Sequence, residues 1–330
     1  MTDNENKKIL IVGMGSIGQR HYKNLKSLGH SDVFVYDIAD ENIFEDVPRV
    51  EILDRQTLEE FDIAFICNPT SEHVKTAILC AEAGLHLFIE KPLSKDEVGI
   101  DKLIDVCSFN NTLAMVACNY RFHDGFLKTS ELIRSGKFGK PLTCKVNMGQ
   151  DVSASRPGVD YRDTYVAKKE EGGGVLFDSG SHIIDYLRFL FGDVVSSSGF
   201  IGRLSNLEIE TEDFIAATLV HQNMVVSSVC LDYFGKPKRH RVEINLTSGA
   251  VIWDFVKGTV ECYSETGKEE VIEIYPNLSK EEMRNAMYLK EIEAFMSLVV
   301  GETDDNPQSL ADARKTFNVL REIKKICVSI

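Results

Sequence analysis

The sequence predicts an α/β chain: a doubly wound parallel sheet first, then an α+β region on a large, mostly antiparallel open sheet. Three observations carry this prediction. From Lys7 to Cys118 short apolar runs alternate with amphipathic stretches. A glycine-rich turn joins the first apolar run to the first amphipathic stretch. From Leu142 onward the apolar runs lengthen, alternate residue by residue and follow one another without helices between them, as antiparallel strands do.

Composition bounds what the chain does. It has 330 residues, enough for two domains, with 43% hydrophobic and 27% charged residues. Its 37 basic and 51 acidic residues give a net charge of −14, which argues against a general nucleic-acid or anionic-membrane binder. The polar start Met1 to Lys8 lacks an apolar signal core, and no apolar run is long enough to span a bilayer. The 8 cysteines form no CxxC pair, so we expect reduced, mostly buried thiols in a cytoplasmic protein that carries no metal site.

The elements follow in order. Lys7 to Val12 reads as a strand and Ile17 to Leu28 as a helix that Gly29 ends. Between them lies Gly13-Met14-Gly15-Ser16-Ile17-Gly18, and a second strand, Val33 to Tyr36, ends in Asp37, 19 residues beyond the last glycine. This is G-x-G-x-x-G between a strand and a helix, the dinucleotide-binding arrangement. Gly13, Gly15 and Gly18 allow the tight turn and close approach to a pyrophosphate, while Ser16 and Ile17 open a helix whose N–H groups face it. Asp37 accepts hydrogen bonds from a ribose and repels a 2′-phosphate, which favours NAD over NADP.

A compressed segment follows, with one turn or a loop before a short third strand at Val50 to Leu53. Leu58 to Phe61 ends a short helix, and Asp62 to Cys67 is a strand followed by Asn68-Pro69-Thr70. Thr70 or Ser71 caps the helix carrying Val74, Ala77, Ile78 and Ala81. His73, in that helix's first turn, either faces the cofactor or is a solvated or capping histidine. Leu85 to Ile89 is a buried strand that stops at Glu90-Lys91-Pro92. Ligands sit off the carboxyl ends of such strands, so Lys91 points either at a bound molecule or, as an ordinary surface lysine, at water. Ser94 caps a helix over Lys95 to Ser108, and Thr112 to Cys118 is a strand ending in Asn119-Tyr120-Arg121. We place the boundary there: 1–121 as a Rossmann-type cofactor domain, 122–330 as a substrate-binding and oligomerisation domain.

In the second domain a helix spans Phe126 to Ser135. Strands follow at Thr143 to Gly149, Asp213 to His221, Met224 to Phe234 and Arg239 to Leu246, with hairpins at Val251 to Trp253, Thr259 to Tyr263 and Val271 to Ile274. Helices close the chain at Lys280 to Val299 and Ser309 to Ile326. One face of so broad a sheet needs a cover, and we expect a homodimer or homotetramer through it. Gly172-Gly173-Gly174 precedes a helix that runs to Phe191; the glycines allow either a close backbone approach or a mobile joint. Asp178 and His182 then share a face one turn apart. They are either a proton-transfer pair, the carboxylate orienting the imidazole, or a helix cap and a core histidine. Arg121, Arg156, Arg162 and Tyr165 either line a substrate cleft or, for the arginines, pair with acids such as Asp160 and Asp163.

With these motifs the chain resembles, over nearly its whole length, the glucose–fructose oxidoreductase/inositol dehydrogenase/rhizopine catabolism (Gfo/Idh/MocA) family. The carrying motifs are Gly13 to Gly18, Glu90-Lys91-Pro92 and Gly172 to Asp185. The resemblance implies that Lys91, Asp178 and His182 form the catalytic group. Lys91 would polarise the reacting hydroxyl, His182 would be the acid/base and Asp178 would hold a neighbouring hydroxyl. Asn68, Pro69, Glu90 and Asn119 would line the nicotinamide. It implies an NAD-dependent dehydrogenase of a sugar, cyclic polyol or nucleotide sugar. The alternatives are a reductase working from NADH, an enzyme recycling bound cofactor, or a non-catalytic sensor.

Overall fold

The computed structural model describes residues 7–39, 47–155, 158–326 and 328–329. In chain order the first elements are β1 (Ile9–Val12), α1 (Ser16–Ser27), β2 (Val33–Tyr36), α2 (Arg55–Leu58), β3 (Ile63–Ile66), α3 (His73–Glu82), β4 (His86–Glu90), α4 (Ile100–Asn110), β5 (Ala114–Ala117) and α5 (Asp124–Arg134). Then come β6 (Pro141–Asp151), α6 (Val175–Phe191), β7 (Val194–Gly202), β8 (Phe214–His221), β9 (Val226–Asp232), β10 (Phe234–Leu246), β11 (Gly249–Asp254), β12 (Thr259–Ser264) and β13 (Gly267–Glu273). The last are α7 (Lys280–Val299), α8 (Leu310–Ile326) and β14 (Val328–Ser329). The chain forms two compact units: Met1–Cys118 with Tyr288–Arg314, and Asn119–Met287 with Lys315–Ile330. The division is therefore not a single cut in the sequence.

In the first unit five strands pair in parallel in the order β2-β1-β3-β4-β5. Every residue of β1, β3 and β5 is buried, as strands covered on both faces must be, whereas edge strand β2 is buried only at alternate positions. The strand order reverses between β1 and β3, and ligands of such sheets bind at that switch point. A helix from far along the chain completes the core. Ile292, Phe295, Met296 and Leu298 of α7 join Ile9, Ile11, Phe65 and Phe88. Phe65 and Phe88 stack at 4.6 Å, and Phe295 stands edge-on to them at 5.9 and 5.4 Å.

Several expectations need correction here. Val50 to Leu53 is not a strand: Arg49 alone bridges Val35, and by Asp54 the carboxylate is accepting from the Thr57 N–H to start α2. Pro48, with no N–H of its own, only accepts from Val35. Neither Thr70 nor Ser71 caps α3; both lie in a 3₁₀ turn, Thr70–Glu72, ahead of it. Ser94 does not start a helix at Lys95. Its hydroxyl accepts from the Asp96 N–H, and α4 begins after Gly99, whose φ of +82° breaks the turn. Residues 40–46 of the compressed segment lie outside the described residues.

The second unit carries a nine-stranded sheet, β13-β12-β11-β10-β6-β9-β8-β7-β14. Its pairings are antiparallel except β6 with β9 and β14 with β7. Strand β7 was not anticipated, because Ser196, Ser197, Ser198 and Gly199 dilute its apolar signal. Helix α6 covers β8 and β9, and α5 covers β11 and β12. Among the described residues no helix is long and apolar enough to cross a membrane. The seven described cysteines are free thiols, all buried except the half-buried Cys230.

If α7 completes the first core, Phe295→Ala should cost about 3–5 kcal/mol, read as a lower urea midpoint. A loss below about 1 kcal/mol would contradict that role.

Candidate active site

In the first unit the chemistry gathers at the carboxyl ends of β1, β3 and β4. Gly13 turns the chain at φ +97°, and a Cβ there would sit 2.4 Å from the Asn68 backbone nitrogen. A Cβ on Gly18 would sit 1.9 Å from the Gly13 carbonyl oxygen, so helix and turn touch backbone to backbone. Gly15 differs: a Cβ there meets nothing within 4 Å. The protein does not need that glycine for its own packing, and it leaves room beside the start of α1, which no side chain caps. Asp37 accepts from the Met14 N–H and, at 2.8 Å, from the Ala39 N–H, which ties the end of β2 to the glycine turn.

Asn68 donates to the Thr76 hydroxyl at 2.8 Å, while its buried Oδ1 has no hydrogen-bond partner. A buried carbonyl left unpaired by the protein is suited to a donor on a ligand. His73 is 2% exposed, with Nδ1 2.9 Å from the Pro92 carbonyl and Nε2 2.8 Å from the Asn68 carbonyl. Its ring is thus turned to the backbone of two turns. Burial pushes its pKa down, against the two carbonyls, which raise it. Glu90 is buried and bonds the fully buried His21 at 2.7 Å, and its other oxygen accepts from the Lys91 N–H at 3.2 Å. Lys91 begins a cis peptide to Pro92 and is half-buried. Sequence reasoning did not single out His21, although it lies one turn beyond Gly18 on the same helix.

In the second unit α6 carries the other candidates. Asp178 N–H already donates to the Gly174 carbonyl, so Asp178 and His182 share a face one turn apart. The three glycines serve close approach: a Cβ on Gly173 would meet the Tyr165 carbonyl at 2.1 Å, and one on Gly174 would meet Glu212 Oε1 at 2.4 Å. Glu212 accepts from the Leu176 N–H at the start of α6, and burial raises its pKa. Asp178 accepts from the Tyr165 hydroxyl through one oxygen and from Tyr233, at 3.1 Å, through the other. Burial first, then the Asp178 charge, push the Tyr233 phenol well above its usual range, so it remains a donor. Tyr233 was missed because nothing in Asp232-Tyr233-Phe234 distinguishes it from a strand-end aromatic.

Asn119 and Tyr120 lie in a 3₁₀ turn, Asn119–Phe122, and the buried Oδ1 of Asn119 has no hydrogen-bond partner. The Tyr120 ring lies 4.6 Å from His182 and 5.0 Å from His240. Arg121 is committed elsewhere: two of its nitrogens each lie 2.6 Å from an oxygen of buried Asp185. Arg162 pairs with Asp160 and Glu208 near the surface. Arg156 lies outside the described residues. No group of three or more His, Cys, Asp or Glu among the described residues is arranged to hold a metal ion.

Two family models match, one for an oxidoreductase family with an NAD-binding Rossmann fold over residues 7–118 and one for the GFO/IDH/MocA C-terminal domain over residues 126–252. The chain belongs to the GFO/IDH/MocA family. Among relatives, a myo-inositol 2-dehydrogenase of Thermotoga maritima is 28% identical over 57% of this chain and 56% of its own length. A D-apiose dehydrogenase of Paraburkholderia graminis is 27% identical over 55% of this chain and 46% of its own. The matches thus span about half the length of these relatives. A levoglucosan dehydrogenase in complex with NADH and L-sorbose shares the fold, with a TM-score of 0.82 at 18% identity, covering 97% of this chain and 96% of that one. The glycine turn, the space beside Gly15 and the unpaired Asn68 oxygen fit the NAD that this family's Rossmann domain binds.

The second unit yields a pH prediction. His240 is 2% exposed, and burial, with smaller contributions from His123 and Lys238, pushes its pKa from 6.5 down to about 3. Between pH 6.5 and about 3 the unfolded chain takes up a proton that the folded chain refuses, so this contribution to stability is lost as pH falls through that window. His240→Phe should flatten the fall in urea midpoint across it; an unchanged slope would assign acid sensitivity to other groups.

Proposed function

We propose that the chain oxidises a secondary alcohol of a neutral sugar or cyclic polyol with NAD, nucleotide sugars being the poorer fit. Bound NAD supplies the hydride acceptor. On this reading Lys91 holds the reacting hydroxyl and stabilises negative charge developing on its oxygen. His182 takes the hydroxyl proton, and Asp178 accepts from a neighbouring substrate hydroxyl. Tyr165 and Tyr233 keep the Asp178 carboxylate oriented for that task. Gly13, Gly15, Ser16, Ile17 and Gly18 would cradle the pyrophosphate, with Asp37 at the ribose and Asn68, Pro69, Glu90 and Asn119 around the nicotinamide.

The observation that carries the substrate class is the state of the arginines. Arg121 is consumed by Asp185, and Arg162 by Asp160 and Glu208. Neither offers an unpaired guanidinium to a carboxylate or phosphate, which favours a neutral substrate. The oxidations named for the relatives, of myo-inositol, D-apiose and levoglucosan, lie in that class. We also assign self-association to the outer face of the nine-stranded sheet; a monomer mass by light scattering would refute it.

NADH appearance should be measured with inositols, free sugars, levoglucosan, sugar acids and UDP-linked sugars. We expect turnover on neutral members, and Lys91→Met should lower it at least about 100-fold with NAD affinity kept within a few-fold. Undiminished turnover in that variant, or preference for sugar acids, would overturn the reading. A blank panel with saturable NAD binding would favour the sensor alternative. NADP should bind at least about tenfold more weakly than NAD, because the Asp37 charge opposes a 2′-phosphate. Equal affinities by fluorescence titration would remove that role.

A further inference from the structure

Lys91 is held by its neighbours on both sides in sequence, and each neighbour is held by a buried histidine. Before it, the Glu90 carboxylate bonds His21 Nε2 at 2.7 Å and accepts from the Lys91 N–H at 3.2 Å. After it, the Pro92 carbonyl faces His73 Nδ1 at 2.9 Å. His21 is 0% and His73 2% exposed. His21 comes from α1, the helix that opens at the glycine turn, and His73 from α3, whose other ring nitrogen is 2.8 Å from the Asn68 carbonyl. The crossovers β1–α1–β2 and β3–α3–β4 run in opposite directions along the sheet, and right-handed connections place their helices on opposite faces.

We propose that His21 and His73 are positioning residues, one reaching in from each face of the sheet, that fix the Lys91 turn to the two cofactor turns at Gly13–Gly18 and Asn68–Pro69. The proposal rests on Lys91 acting at the reacting hydroxyl. Its physical content is a coupling: whatever settles the cofactor turns also sets where the lysine stands. A flat ring with two nitrogens suits the second brace, because the Pro92 and Asn68 carbonyl oxygens lie 2.9 and 2.8 Å from Nδ1 and Nε2. A carbonyl only accepts, so a ring carrying a proton on each nitrogen bonds both, and a neutral ring bonds one. Burial disfavours the charged ring, while the two carbonyls and Glu90 favour it and Lys91 opposes it. The same geometry makes a purely space-filling role costly, since a hydrocarbon at position 73 would leave two buried carbonyls facing it.

The test uses the full chain and needs no turnover, so a blank substrate panel does not decide it. The probes are NADH affinity by fluorescence titration, and the titration midpoint of Lys91 read by NMR after ¹³C reductive methylation, with Lys91→Met assigning the signal. In His73→Leu and His21→Leu we expect NADH to bind about tenfold more weakly, the effect of one lost buried hydrogen bond. The Lys91 midpoint should move by at least about half a unit. In His73→Gln, whose amide still donates, NADH affinity should return to within about threefold of the parent. Leucine variants that fold with both readouts unchanged would overturn the proposal. If they do not fold, the parent protein decides. On adding NADH, the imidazole ¹⁵N signals of His21 and His73 should shift together with the Lys91 methyl signal, and fixed histidine signals would reduce both residues to packing.

Discussion

The burial of the parallel strands on both faces is the constraint from which the first unit follows. Phe65 and Phe88 lie stacked beneath Phe295, and no residue of β1, β3 or β5 is left partly exposed. A polar side chain inside such a strand would be buried without a partner, so polar chemistry is displaced to the strand ends. Those ends converge where the strand order reverses, and there the packing is so close that a Cβ on Gly13 would strike the Asn68 backbone. The glycine at 13 is a consequence of that contact and the one at 18 of its own approach to the Gly13 carbonyl, whereas Gly15 has no such packing reason.

The second unit solves a different problem, that of holding buried and half-buried charges without making them costly. Asp178 accepts from two phenols, Asp185 is matched to Nε and Nη2 of Arg121, and Glu212 sits at the amino end of α6, where a helix favours negative charge. The triple glycine belongs to the same solution. It lets the chain pass against the Tyr165 and Val166 carbonyls, and that passage brings the Tyr165 hydroxyl to Asp178. The glycines therefore shape the surroundings of Asp178 through the tyrosine.

Motifs whose meaning is local were legible in the sequence. The strand–glycine turn–helix start, the stop at Glu90-Lys91-Pro92 and the i,i+4 spacing of Asp178 and His182 all depend on residues close in the chain, and the backbone has these forms. What escaped depends on distant partners. Val50 to Leu53 looks like a strand, but a strand needs a ladder, and only Arg49 finds one position on β2. Strand β7 has little intrinsic strand signal and exists through its pairing with β8. Tyr233 gains its meaning from Asp178, 55 residues earlier, and His21 from Glu90, 69 residues later. The fate of Arg121 was likewise decided by Asp185, a residue the motif contained but whose partner it did not reveal.

A lysine at the end of a buried strand poses a difficulty that the histidines resolve. Its stem is long and its rotamers many, so fixing the ammonium costs entropy that a single contact at its tip repays poorly. Fixing the backbone on each side of the residue removes much of that freedom before any ligand arrives. Carboxylates would brace the turn by adding negative charge next to the lysine, and Glu90 already supplies one. An imidazole instead donates to Glu90 or to a carbonyl without adding a further negative charge beside the lysine. On the proposed reading, in which Lys91 acts through its charge, a brace built from histidine suits the turn better than one built from carboxylates.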